Sequence, residues 1–491
     1  MRLRRLLLAL AALGLAASVA ACGSTDSPST AKRPLAAASR AAPTGPAGDW
    51  SRFGYDAARS NDAPRGLSEA TVGALAAHRV DLPGTVDSSP IYVGSARVAG
   101  RARPLLVMTT TYGRTLALDP ATGAILWQFT PKSYGSLAGS PQITTATPVA
   151  DPDRKFVYAA SPDGLIHKLR LADGSEVRSA GWPASVTRDP THEKIAAALN
   201  LFRGNLLVTT GGYIGDAPPY QGHVVVMGAK HGRLLHVWNS LCSGHHGLIY
   251  PPRCTPSNSA IWGRAGAVVV PGSSKLLVAT GNGPWDGHAN WGDSVLVLSA
   301  KAKLVGNYTP TNNAQLNVQD IDLGSTSPVY LTSKLIAQGG KDGKIRLLSL
   351  RRLRGTRPHK GHELQIVATP SGTDLFTAPA VWRNGKQVWL IAADGGGTQA
   401  WSLSGGRLHS VWRNRNGGTS PVLAGGLLFV YDPGGALRVY RPANGKLVAT
   451  LSSGSGHWNS PIVTEGRVAL PEGDANDHDT SGILDIWRLS G

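Results

Sequence analysis

One phrase recurs along this chain. A small residue, usually followed by proline, leads into a short apolar strand, a second strand, a glycine-bearing turn and a third strand. Its starts are Ser89-Pro90, Ser140-Pro141, Ser327-Pro328, Ala378-Pro379, Ser420-Pro421 and Ser460-Pro461, with a weaker copy at Ser259-Ala260. The gap between Ser140 and Ser259 holds two units, and the apolar strand near 205–210 places the missing start near Ala198. Eight starts spaced by about 40 to 70 residues match the period of propeller blades. A four-stranded sheet buries both faces only when stacked between neighbours, so such units must form a ring. The expected fold is all-β: an eight-bladed propeller of four-stranded antiparallel blades.

The clearest copy runs from Leu105-Leu106-Val107-Met108 through Thr115-Leu116-Ala117-Leu118 to Asp119-Pro120-Ala121-Thr122-Gly123 and Trp127. The alternation fits a strand, and Gly123 closes the turn at positive φ. Trp127 follows on the next strand, where it could wedge between neighbouring sheets. Gly232 with Trp238 and Gly406 with Trp412 repeat this ending. The last unit ends after a third strand at 483–489. Residues 79–82 stand just before the first unit, so the N-terminal strand is expected to complete the last blade and remove two sheet edges. Ser68 and Glu69 predict a short helical turn reaching Ala76. The composition agrees: 60 Gly, 33 Pro and only 16% charged residues among 491 exclude a charged coiled coil, and the glycines keep no collagen period.

The N-terminus reads as an export signal. Arg2, Arg4 and Arg5 precede an apolar run over 6–19, too short to span a bilayer with its own flanks. Val19-Ala20-Ala21-Cys22 looks like a bacterial lipobox, so residues 1–21 are expected to be a lipoprotein signal peptide and Cys22 the lipidated residue; an ordinary signal peptide shares the same layout. Residues 22–48, poor in large apolar side chains, are expected to be a flexible tether, and 49–491 the propeller. The net charge of +18 falls to +15 once three arginines leave with the signal. Cys242 and Cys254 are then expected to form a disulfide in an oxidising compartment. A Cys/His metal site with His245 and His246 is the alternative, although the spacing fits no usual zinc pattern.

At Ala117-Leu118-Asp119-Pro120-Ala121-Thr122-Gly123 through Trp127, the repeat resembles that of the quinoprotein-alcohol-dehydrogenase-like superfamily. Those are eight-bladed propellers that include pyrroloquinoline quinone (PQQ) dehydrogenases and non-catalytic envelope lipoproteins. The lead-in Asp49-Trp50-Ser51-Arg52-Phe53-Gly54-Tyr55-Asp56, with Ala58-Arg59-Ser60, is similar to theirs. So is the middle: Ile261-Trp262-Gly263, Thr280-Gly281-Asn282-Gly283 and Gly292-Asp293-Ser294 resemble the core of the PQQ enzymes. The resemblance implies cofactor-binding roles for Trp262 and Asn282, metal-ligand roles for Asn282 and Asp320, and catalytic roles for Asp320 and Lys341, with PQQ and Ca2+ as cofactors. Hard oxygen donors suit calcium, and an aspartate could accept an alcohol proton. This chain also departs from the pattern. No glutamate stands near Gly212-Tyr213-Ile214-Gly215, where Asp216 is the nearest carboxylate; no cysteine lies between 22 and 242; and Gln319 and Ile321 replace aromatic residues around Asp320.

Each residue also has a plainer reading: Asn282 as a turn residue, Trp262 as blade packing, Asp320 and Lys341 as a structural ion pair. Asp477, Asp479, Ser481 and Gly482 carry part of a calcium-loop spacing, with Arg488 where the closing glutamate would stand. Arg351, Arg352, Arg354, Arg357 and Lys360 form a basic run that suits anionic lipid or polymer. No nucleic-acid motif, Gly-x-Ser-x-Gly elbow or His-Glu-x-x-His pair occurs. The expectation is an exported, membrane-anchored, monomeric binding or scaffold module of the cell envelope, with an envelope protein or anionic polymer as partner. The alternative is a PQQ- and Ca-dependent dehydrogenase oxidising an alcohol or sugar.

Overall fold

The computed structural model describes residues 48–179, 181–250 and 253–490; the expected signal peptide, Cys22 and nearly all of the tether lie outside them. Eight antiparallel sheets follow one another along the chain. The first strands of blades 1 to 8 are Ile91–Val98, Val149–Ala150, Asn200–Phe202, Val268–Val269, Val329–Tyr330, Ala380–Asn384, Val422–Ala424 and Ile462–Thr464. Six predicted starts lead directly into these strands. Two are displaced. Blade 2 begins after Thr147-Pro148 rather than Ser140-Pro141, because residues 142–148 run as an irregular segment whose Thr144 and Thr145 hydroxyls donate to Ile195 O and Ala196 O. Blade 4 begins after Gly266, because Ser259 is held in a loop where its N–H donates to the Asn282 carbonyl at 2.6 Å.

The ring closes as the sequence predicts. Strand Leu75–Leu82 pairs along its whole length with Gly482–Leu489, from Leu75 opposite Leu489 to Leu82 opposite Gly482, as the outermost strand of blade 8. The strand begins earlier than expected and absorbs Ala76, so the preceding helix is only Glu69–Val72. Pairing decides this, since Leu75, Ala76 and Ala77 already face Leu489, Arg488 and Trp487; alternation sets in from His78, with Val80 and Leu82 turned toward protein and Arg79 and Asp81 exposed.

Apolar clusters lie between consecutive blades. Val107 and Ala117 of blade 1 meet Val157 and Leu169 of blade 2, and Leu390 of blade 6 meets Leu347 of blade 5. Trp127 wedges as expected: its indole N–H donates across to Leu171 O at 2.9 Å. A side chain on Gly174, at φ +72°, would collide with that indole. Trp412 repeats the arrangement on blade 7, donating to Pro442 O at 2.7 Å against Gly445.

Around the axis, the small polar residues of the repeat phrase join blade to blade. Ser89 Oγ donates to Ser460 O, Thr145 Oγ1 to Ala196 O, Thr326 Oγ1 to Thr377 O, Thr419 Oγ1 to Asn459 O, and Ser327 Oγ to Gly263 O. Further along the same strands the lead-in crosses the ring. Ser51, Ala57, Ser60 and Asn61 offer carbonyls to N–H groups of Ala150, Val269, Val381 and Leu423. Asp62–Ala63 then pairs in parallel with blade 7. Arg59, 3% exposed, donates to the carbonyls of Phe53, Ala265, Ala198 and Leu199. The lead-in therefore closes one end of the channel.

Cys242 and Cys254 form the expected disulfide, with Cα atoms 6.2 Å apart. Its thiols are consumed and His245 and His246 are exposed, so the metal reading of that loop falls. Residues 475–477 form a 3-10 turn in which Asp474 accepts from Asn476 N–H, in place of a calcium loop.

Two outcomes follow in urea unfolding. Arg59→Met strands four buried carbonyls at about 1–3 kcal/mol for each group left unmatched, so a loss of at least about 3 kcal/mol is expected. Reduction of the disulfide, which closes a short loop, is expected to cost about 3 kcal/mol.

Candidate functional site

The other end of the channel opens into a cavity of about 480 Å³, within the ~300–1,000 Å³ usual for small-molecule sites. Its walls are the segments that enter the first strands. Asp87, Thr145, Ala196, Arg264, Phe376 and Trp458 each stand two residues ahead of a blade's entry and line it. All four sequence-predicted pocket residues, Trp262, Asn282, Asp320 and Lys341, line it too.

Lys341 is at the centre of one side. Its Nζ lies 2.6 Å from Asp322 Oδ2 and 3.7 Å from Asp320 Oδ2, and it donates to the Asp320 carbonyl at 3.2 Å. Asp322 is the deeper carboxylate, its side chain 4% exposed against 57% for Asp320. The Asn282 N–H donates to Asp322 Oδ1 at 2.7 Å. That approach needs Gly281, because any side chain there would collide with the same oxygen. Asp293, from the Gly292-Asp293-Ser294 run, accepts from Leu323 N–H at 2.9 Å and so fixes the turn that carries Asp322. Burial pushes the Asp322 carboxyl up, and Lys341 pulls it back; Lys341 is itself held above its ordinary value because Asp322 and Asp320 outweigh its burial. Asp216 is near enough to add to this, and its carboxylate accepts from Tyr220 Oη at 2.8 Å.

Aromatic rings run from this side to the other. Trp262 and Phe376 are 6.0 Å apart between centroids, Phe376 and Trp458 5.1 Å, and Trp458 and His457 4.3 Å. Lys341 Nζ lies 5.8 Å from the Trp262 ring and 5.9 Å from Phe376. Trp262 belongs to none of the apolar clusters between blades, so its plain packing reading gives way to a cavity wall.

At the far end His457 Nδ1 lies 2.8 Å from Asp87 Oδ2 and 3.1 Å from Asp474 Oδ1. Burial pulls its pKa down, but hydrogen bonds to Asp474 and Asp87 and their charges win and hold it at about 9. Arg264, 6% exposed, spans the floor and donates to Asp87 O at 2.9 Å, with longer bonds to Thr145 O and Trp458 O. Its buried Nε–H has no acceptor. Lys194 faces the cavity because Glu193 turns inward, bonding His223 Nε2 through both oxygens at 3.0 Å. Burial depresses the Lys194 amine to about 8. Among the described residues neither Lys194 nor Arg264 forms an ion pair.

The sequence reading missed Asp322, Lys194, Arg264, Asp87, His457, Phe376 and Trp458. The signal that would have found most of them is positional: in six of the eight blades the residue two before the entry lines the cavity.

No protein-family model matches the chain, and no curated protein matches it. Solved structures do. The quinohemoprotein alcohol dehydrogenase of Comamonas testosteroni superposes with a TM-score of 0.65 at 14% identity, covering 90% of this chain and 81% of that one. The europium-containing methanol dehydrogenase gives 0.64 at 15%, covering 91% and 99%. BamB from Moraxella catarrhalis gives 0.50 at 13%, covering 84% and 99%. The protein is thus an eight-bladed propeller with quinoprotein alcohol dehydrogenases and BamB as its structural neighbours. At this identity, the likeness speaks for the fold alone.

Calcium and PQQ fit these residues poorly. Both Asp322 oxygens are engaged, one by an ammonium and one by a backbone N–H. Asp320 sits at the rim. Among the described residues, the one cluster of three metal-ligand side chains is Asp87, His457 and Asp474, at the opposite end and already bonded within itself. PQQ is a tricarboxylic acid, and on the Trp262 side Asp216, Asp320 and Asp322 outnumber the one ammonium of Lys341.

The His457 cluster yields a pH test. The folded pKa stands above the unfolded 6.5, so its stabilisation is full below pH 6.5 and is lost as pH rises through about 9. At about 1.4 kcal/mol per unit, wild type is expected to exceed His457→Gln by about 3 kcal/mol more at pH 6 than at pH 10. Urea unfolding at the two pH values measures the difference.

Proposed function

We propose that this propeller is a binding module of the cell envelope that holds a small ligand in the axial cavity, and that it is tethered through lipidated Cys22. The observation that carries the reading is the run Trp262–Phe376–Trp458 across a cavity closed below by Arg264 and the lead-in. Rings of this kind give a flat ligand apolar area, while the polar groups around them fix orientation. Nothing in this arrangement requires turnover. The exposed basic residues Arg351, Arg352, Arg354, Arg357 and Lys360 give the same molecule a surface for anionic lipid or envelope polymer.

The PQQ- and Ca-dependent dehydrogenase remains a second reading because Trp262, Asn282, Asp320 and Lys341 do meet in one cavity. In it, Asn282 and Asp320 would hold the cation, Trp262 and Lys341 would contact the quinone, and Asp320 would take the alcohol proton. The engaged state of Asp322 weighs against it.

Two measurements separate the readings. Titration calorimetry with PQQ and Ca2+ is expected to give weak or no binding, and a dye-linked alcohol assay no activity. Tight binding with oxidation abolished by Asp320→Asn would promote the dehydrogenase. Mass spectrometry of small molecules released on denaturing envelope-purified protein is expected to show a ligand from wild type and none from Trp262→Ala. The same release from both proteins, or from neither, would sink the axial reading. Cys22→Ala is expected to leave the membrane fraction; unchanged retention would refute the anchor.

A further inference from the structure

The charges lining the axial cavity fall into two groups with opposite excess. The first surrounds Lys341 and contains Asp216, Asp320 and Asp322, all acting on that one ammonium. One positive and three negative charges leave 1 − 3 = −2. The second contains Asp87 and Asp474 with His457, Lys194 and Arg264, which act on one another. His457 is protonated at neutral pH, so three positive and two negative charges leave 3 − 2 = +1.

The groups sit at the two ends of the aromatic run. Lys341 is beside Trp262 and Phe376, and its partner Asp322 is 2.6 Å away. His457 stacks against Trp458 at the other end. Within each group the spare charge is the one that other side chains do not neutralise. At the negative end it is Asp320, exposed at the rim, and Asp216, since Asp322 already engages Lys341. At the positive end it is Lys194, which lines the cavity with Arg264; Asp87 acts on both and Asp474 on Lys194, but among the described residues neither cation is in a direct ion pair.

A partly buried cation in no direct ion pair is an electrostatic cost that an anion brought into contact relieves. The same holds for the carboxylates and a cation. A ligand that carried only acids would satisfy one end and be repelled at the other. A simple amine would do the reverse. Resting on the axial-cavity reading above, we propose that the ligand is a small aromatic zwitterion of the amino-acid class. Its carboxylate faces Lys194 at the Trp458 end, its ammonium faces Asp320 and Asp216 at the Trp262 end, and its flat body lies along the three rings. The class is set by charge and shape together: a cavity of about 480 Å³ takes one such molecule with room for water.

Calorimetry on the full chain tests this with three probes that share an indole body: L-tryptophan, indole-3-propionate without the ammonium, and tryptamine without the carboxylate. L-Tryptophan is expected to bind at least about tenfold more tightly than either, since charge-assisted hydrogen bonds contribute about 1.5–3 kcal/mol, which converts to tenfold or more. Lys194→Met is expected to erase the advantage over tryptamine. Asp320→Asn, at an exposed position that leaves folding intact, is expected to erase the advantage over indole-3-propionate. Equal or tighter binding of indole-3-propionate overturns the zwitterion and leaves a plain acid site. No binding by any of the three overturns the aromatic zwitterion class, while the axial reading is decided separately by the ligand released from envelope-purified protein.

Discussion

The belt of hydrogen bonds around the axis is what the rest of this molecule depends on. Eight sheets that touch only their neighbours have no common centre. The hydroxyls of Ser89, Thr145, Thr326, Ser327 and Thr419 supply one by donating to carbonyls of the adjacent blade. Each bond contributes only about 1 kcal/mol. Their effect is geometric, because they fix the height at which every blade enters the ring. In six blades the residue two places earlier is thereby brought to the wall of one cavity. The cavity is a consequence of that alignment.

Below the belt, the inner strands present backbone N–H groups, those of Ala150, Val269, Val381 and Leu423, toward the channel. The lead-in meets them with its own carbonyls, and Arg59 and Arg264 meet carbonyls with guanidinium donors. This explains two of the three arginines buried among the described residues; the third, Arg346, is paired with Asp342. It also explains why the cavity has a floor: one arginine seals the centre within the lead-in, and the other crosses from blade 4 to carbonyls of blades 1, 2 and 8.

The contrast with a metal-dependent quinone site comes from one side chain. Lys341 places an ammonium against Asp322, where a cation would need that carboxylate free. A lysine on a flexible stem is a tethered counter-ion, and Gly281 lets the pair form by leaving room for Asp322. With that charge settled locally, Asp216 and Asp320 on one side and Lys194 on the other remain to act on whatever enters.

Much of this was legible in the sequence. The repeat gave the blade count, because a period of small residue, proline, strand and turn survives without any alignment. The third strand at 483–489 with no fourth after it, and the strand over 79–82 ahead of the first unit, gave ring closure, since closing the ring removes two sheet edges. The spacing of Trp127 and Gly123 gave the wedge. Two starts were misplaced, at Ser140 and Ser259, because the irregular segments there carry the same small residues as a true blade entry. The four pocket residues were found together. Their partners were not, because Asp322, Lys194, His457 and Arg264 stand in four different blades or entries and share no motif. Whether a carboxylate is buried and engaged, as Asp322 is, or exposed at a rim, as Asp320 is, depends on which separate loops, here those of Asn282 and Lys341, the fold brings beside it. Local pattern therefore determined the ring and its closure, and only the tertiary structure decided the charges of the cavity, because Coulomb energy follows distance through space.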